Sequence, residues 1–143
     1  MIKHEYATQN HCESARVRAF LPASLVTRKD DSVLTREFIF NTVAVVFEVE
    51  IELLLRPNRG RAQVALARQV AMYLAHVGCE LSLTAVGRVF GRDRSTVAHA
   101  CRRVEDARER PQFDRLIAMM ERSVRMIVPV LRRDLALVEQ GDL

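Results

Sequence analysis

Two lysines, Lys3 and Lys29, are few for a chain of 143 residues that also holds 20 arginines. With so little lysine, no Gly-x-x-x-x-Gly-Lys-[Ser/Thr] stretch occurs, so the loop that cradles nucleotide phosphates in P-loop proteins is missing from this sequence. Cysteine is scarce as well. Cys12, Cys79 and Cys101 are odd in number and share no short paired spacing, which argues against a disulfide framework and against the usual zinc patterns. Cys79 and Cys101 read as small apolar residues. His4, His11 and Cys12 lie near one another with no fourth ligand in view, so no metal or other cofactor is expected. Long apolar runs are lacking too. The stretches around Phe38 to Phe47 and Leu116 to Met120 fall well short of the ~20 residues that cross a bilayer. The amino terminus has no apolar run behind Lys3, so it does not resemble a secretion signal. The expectation is a soluble protein of the cytoplasm, with no membrane partner.

What the sequence does hold is enough apolar material, 49%, for one modest core. Its net charge of +4 is unevenly spread. Residues 1–36 carry six basic and four acidic groups, and residues 37–55 carry four glutamates and nothing basic. Residues 56–110 carry eleven arginines against five acids, and residues 111–143 balance five against five. A block of positive charge in one region is the electrostatic footprint of a nucleic-acid binder, although a solvated arginine face has the same composition. Arginine suits the role, because its planar fork matches phosphates and guanine edges where lysine offers a point charge.

The pattern along the chain predicts an all-α protein. Residues 1–33 mix polar and charged groups without periodicity and read as a flexible arm. In residues 35–55 the signals conflict. Val45, Phe47, Val49 and Ile51 alternate with glutamates as in a strand, while Phe40, Val43, Phe47 and Leu54 fit a helical stripe. The helical reading is preferred, over about 36–47 and 50–55. Arg56-Pro57-Asn58-Arg59-Gly60-Arg61 is a cationic loop. From Ala62 to Val77, the residues Leu66, Val70, Leu74 and Val77 share one helical face, and Gly78 is expected to end the helix in the left-handed conformation.

Ser82 can cap a helix from Leu83 to Phe90, Gly91 can end it, and Asp93 can cap the next. Two helices joined by so short a turn cross steeply, which is the helix-turn-helix outline. In the second helix, about Arg94 to Arg108, Val97, Ala100, Cys101, Val104 and Ala107 face inward and Ser95, Ala98, His99 and Arg102 face outward. A helix tip that is small, polar and basic is what a major groove admits. Beyond Pro111 a last amphipathic helix carries Phe113, Leu116, Ile117, Met120, Val124 and Ile127. Pro129 is expected to end or kink it, and its methionines read as core filler rather than a partner surface. The domain is expected over 34–128, with 129–143 a tail or short helix.

Three blocks carry a family resemblance: Ala67-Arg68-Gln69-Val70-Ala71-Met72-Tyr73-Leu74, Leu81-Ser82-Leu83-Thr84-Ala85-Val86-Gly87, and Gly91-Arg92-Asp93-Arg94-Ser95-Thr96-Val97-Ala98-His99-Ala100-Cys101-Arg102. In this order they resemble the C-terminal DNA-binding domain of the bacterial replication initiator DnaA, over roughly residues 40–108. The resemblance implies that Arg92, Asp93, Arg94, Ser95, Thr96 and His99 meet bases and phosphates of double-stranded DNA. It implies a minor-groove role for the loop holding Arg56, Arg59 and Arg61, and phosphate contacts for Arg68 and Gln69. The family usually has two glycines before Arg-Asp where this chain has only Gly91. Arg94 stands in place of a histidine, so the family's sequence preference does not carry over. Without the nucleotide-binding loop, the expected role is regulation of replication or transcription rather than origin opening. The alternative is a protein that modulates replication by acting on initiator-regulating partners, through the arm before residue 34 or the tail after Pro129. An enzyme is not expected. Glu48, Glu50 and Glu52 read as a solvated face, and no catalytic grouping stands out. The oligomeric state is left open, because such a domain binds DNA singly or as a dimer.

Overall fold

A computed structural model describes residues 31–58 and 60–139. Six helices make up these residues, with no strand among them: α1 (Asp31–Phe47), α2 (Ile51–Leu55), α3 (Ala62–Tyr73), α4 (Leu83–Phe90), α5 (Arg94–Ala107) and α6 (Pro111–Glu139). No helix among the described residues is long and apolar enough to cross a membrane. The all-α expectation holds. The strand-like alternation near residue 45 fails because Ile39, Phe40 and Val43 follow a helical period into the core while Val45 stays 78% exposed. His4, His11, Cys12 and nearly all of the arm read from residues 1–33 lie outside the described residues.

α3 is the central element. Ala67, Val70, Ala71, Met72, Tyr73, Leu74 and Ala75 are all buried, more than the one-sided stripe that periodicity suggests. The reason is that α1, α2 and α5 surround it. Past Tyr73 the helix widens into a π turn, Leu74–Gly78, in which the Cys79 N–H reaches back to the Leu74 carbonyl at 3.1 Å. Gly78 does not take the left-handed cap expected of it; Glu80 does, at φ 58°. Gly78 serves instead as a point of close approach, since a Cβ there would lie 3.1 Å from a Val124 methyl of α6. Burial pushes the Cys79 thiol up to about 11 and raises the Cys101 thiol in the same direction, helped there by Glu105.

α1 begins five residues earlier than its periodicity suggested. Leu34 and Thr35 are buried, and the Thr35 hydroxyl accepts a hydrogen bond from Arg132 of α6 at 3.2 Å, a tertiary support that local pattern does not reveal. α1 ends in a Schellman motif: the Val49 N–H donates to the Ala44 carbonyl at 3.0 Å, with Glu48 at φ 51° in the place glycine favours.

α6 also departs from expectation, because it runs through Pro129 to Glu139. The proline removes one backbone donor, but Pro129 and Arg125 are exposed, so water can take the freed carbonyl. Val128 just before it is buried and anchors the helix, whereas Ile127, assigned inward from the sequence, is 39% exposed. Met120 is core filler as expected; Met119 and Met126 are not. The helix is fastened at its start by Arg108, which donates to Asp114 at 2.6 Å and to Glu121 and the Tyr73 hydroxyl at 2.7 Å each. Tyr73 in turn donates to Glu121 at 2.7 Å. Burial and the Glu121 carboxylate hold the Tyr73 hydroxyl well above its ordinary range. Arg108 loses some stability as a cation through burial, but Asp114 and Tyr73 outweigh that and raise it.

Candidate nucleic-acid interface

The helix-turn-helix forms by local rules that the sequence displays. The Ser82 hydroxyl accepts from the Ala85 N–H at 3.1 Å and starts α4. Gly91 ends α4 at φ 61°, ψ 40°, and the Arg92 N–H closes the turn on the Gly87 carbonyl at 2.8 Å. Gly87 is there for space, since a Cβ would come within 2.5 Å of the Arg92 carbonyl oxygen. Asp93 occupies the N-cap position of α5 with extended backbone, but its carboxylate makes no capping bond. The first turn of α5 therefore presents its N–H groups and positive dipole end without a side-chain cap, a setting that favours anions.

Val97, Ala100 and Val104 are buried, which fixes the rotation of α5 and leaves Asp93, Arg94, Ser95, Thr96 and His99 exposed. An open groove of about 920 Å³ runs beside this helix. Ser95, Thr96, His99 and Arg103 form one wall, and Pro57 and Gly60 of the loop form the other. Its floor is α3, where Ala62 and Ala65 are small enough to leave room and Gln69 supplies a polar group. Among the described residues, no acidic side chain lines it. Arg103 lines the groove and is a residue that the sequence reading missed. Thr96, His99 and Arg103 follow the spacing i, i+3, i+7 of one helical face, so that face was legible; Arg102, assigned outward, is exposed but does not line the groove.

The loop is held by two guanidinium groups. Arg68 is only 8% exposed and donates to the carbonyls of Leu54 (2.9 Å), Asn58 (2.8 Å) and Leu53 (2.7 Å). Burial, then the charge of Arg92, weakens its hold on the proton. Arg92 reaches across from the helix-turn-helix turn to the carbonyls of Arg56 (2.9 Å) and Pro57 (3.1 Å). Five consecutive-region carbonyls between residues 53 and 58 are thus fixed from two elements. Arg68, expected at a phosphate, borders the groove but gives three hydrogen bonds to loop carbonyls; Gln69, next to it, lines the same groove.

Arg56 and Arg61 are exposed and line a second groove of about 450 Å³ with Glu48 and Glu50; Gly60 borders both grooves, so the loop is the ridge between them. Arg94 and Asp93 line neither groove and stand at the leading end of α5. Arg59 lies outside the described residues.

Residues 36–104 match the family model described as the bacterial dnaA protein helix-turn-helix. Chromosomal replication initiator protein DnaA 2 of Chlamydia trachomatis is 46% identical over 74 residues, which cover 52% of this chain and 16% of that protein. The DnaA protein of Lachnoclostridium phytofermentans is 33% identical over 102 residues, covering 70% of this chain and 22% of its own length. That of Bordetella pertussis is 36% identical over 94 residues, 64% of this chain and 20% of its own. Among solved structures, a DNA replication initiation factor superposes with a TM-score of 0.62 at 27% identity, covering 84% of this chain and 36% of the other. A replication initiator DnaA bound to AMPPCP and single-stranded DNA gives 0.63 at 25% identity, covering 85% and 37%. This chain therefore corresponds to between 16% and 22% of the length of these three relatives.

Proposed function

From the premise that residues 36–104 form a helix-turn-helix domain of the bacterial DnaA type, we propose that this chain binds double-stranded DNA sequence-specifically and regulates replication initiation or transcription. The observation that carries the reading is the groove, free of acids among the described residues, in which Ser95, Thr96, His99 and Arg103 face a loop fastened by Arg68 and Arg92. In this reading α5 enters the major groove and the loop segment 56–61, which holds Arg56, Arg59 and Arg61 in its sequence, enters the neighbouring minor groove, where narrow width favours arginine. Thr96, His99, Arg103 and Gln69 hold phosphates and set the register, and Arg94 at the helix tip reads a base edge, with guanine the best match to its two-pronged fork. Arg68 acts from behind, as a positioning residue. The protein works in the cytoplasm on the nucleoid, and no catalytic role or cofactor enters the proposal.

Neutralising about five phosphates gives a slope of roughly −4 to −5 in the logarithm of affinity against the logarithm of salt. Losing the Arg94 contact removes about 1–3 kcal/mol at one base position. The test is a mobility-shift series on duplexes selected from a random pool. Arg94→Ala and Arg61→Ala should both weaken binding, and unchanged affinity in the two together removes the assignment. Mapping of bound chromosomal DNA then separates the roles: enrichment at origins supports replication control, and scattered promoters support transcription control. The second reading, a modulator acting on initiator-regulating proteins with little DNA binding, draws on the exposed apolar residues of α6 outside the matched segment.

A further inference from the structure

The matched segment stops at residue 104, and α6 lies wholly beyond it. One face of α6 is spent on the core through Ile117, Met120, Val124 and Val128. A second apolar set stays in solvent: Met119 is 58% exposed, Met126 67% and Val130 43%. On a helix of about 100° per residue these three fall within an arc of ~40°, spaced seven and four residues apart, so they form a stripe of the kind that suits a helical partner. Isolated exposed hydrophobics are ordinary, but a row of flexible thioethers is the adaptable kind of surface that takes an amphipathic helix.

Charge selects the partner. Arg115, Arg122 and Arg133 are exposed and fall along one edge of the stripe, ~40–60° from its line. Arg115 and Arg122 meet no carboxylate among the described residues, and the nearby acids Asp114 and Glu121 are taken by Arg108. Arg133 has only a loose, exposed contact with Asp134 at 3.9 Å. A second copy laid antiparallel would set this arginine edge against itself. Laid parallel, the edge would face Ile127 and a single acid, Asp134. A duplex would satisfy the arginines but leave the methionines against a polar backbone.

We propose that the outer face of α6 is a docking surface for an amphipathic helix of another protein that carries acidic residues beside its apolar stripe. Apolar residues of that helix cover Met119, Met126 and Val130, and its carboxylates meet Arg115 and Arg122. None of these residues lines the groove beside α5, so the proposal stands apart from DNA binding.

The test places a photo-crosslinking side chain at position 126 of the full chain in its native cells and sequences the crosslinked peptide. The expected product is a segment of another protein with helical apolar spacing and flanking Asp or Glu. Capture should fall by about tenfold in Arg115→Glu/Arg122→Glu, and return when the acids of that segment are changed to lysine. A circular-dichroism melt keeps the variant interpretable by showing that it folds. Crosslinks to a second copy, to DNA or to a segment without acids overturn the proposal, as do the absence of any crosslink and a charge swap without recovery.

Discussion

The two walls of the groove are built by different physics. The α5 wall follows from neighbours in sequence: Ser82 caps α4, Gly91 turns the chain, and Val97, Ala100 and Val104 set the rotation that exposes Ser95, Thr96 and His99. The loop wall follows from residues far away. Arg68 and Arg92 reach 10 to 36 residues back along the chain to hold carbonyls between Leu53 and Asn58. A short cationic loop has no stiffness of its own, so its place beside α5 depends on those two side chains. The difference teaches that arginine does two jobs here: on α5 it faces solvent, and beneath the loop it replaces a missing backbone ladder.

Substitutions can separate the walls. Arg68→Ala should do the most damage, because it leaves three carbonyls without their charged donor in a buried setting. A loss of about 3 kcal/mol is expected, or more than ~10 °C in melting temperature, read by thermal denaturation. A small loss would mean that the loop holds itself. Gly87→Ala attacks the other wall. Its Cβ would sit 2.5 Å from the Arg92 oxygen, and the shift needed should destabilise by about 2 kcal/mol in urea titration. Arg92→Ala lies between the walls and is expected to lower stability by only about 1 kcal/mol, since the side chain is half-buried, while weakening duplex binding by roughly tenfold. Arg92→Lys should restore little of that affinity, because an ammonium cannot fork to two carbonyls. Full rescue by lysine would show that Arg92 contributes charge alone and does not clamp. The smallest effect should come from Glu48→Gly, which removes left-handed strain at the end of α1 and raises stability by up to about 1 kcal/mol.

The same contrast explains what could be read from the sequence. Caps, turn glycine and inward stripe made the helix-turn-helix legible, along with Ser95, Thr96 and His99 as its outward tip. Arg103 was equally available from the helical period. The loop clamp was not, because side-chain bonds to distant carbonyls leave no periodic trace, and the resemblance pointed Arg68 at a phosphate. The early start of α1 depends on Arg132 bonding Thr35, 97 residues away, and Gly78 depends on Val124 passing close by. Pro129 misled for a related reason: a proline is tolerated inside a helix when its freed carbonyl faces water and the preceding residue is anchored in the core.

The proposed binding mode requires the loop and α5 to grip one duplex together. Backbone amide chemical shifts of the full chain, followed as a selected duplex is added, test this most directly. The predicted result is a joint response of residues 92–103, Gln69 and residues 56–61 at one stoichiometry. A response confined to α6, or one in which α5 moves and the loop does not, contradicts it.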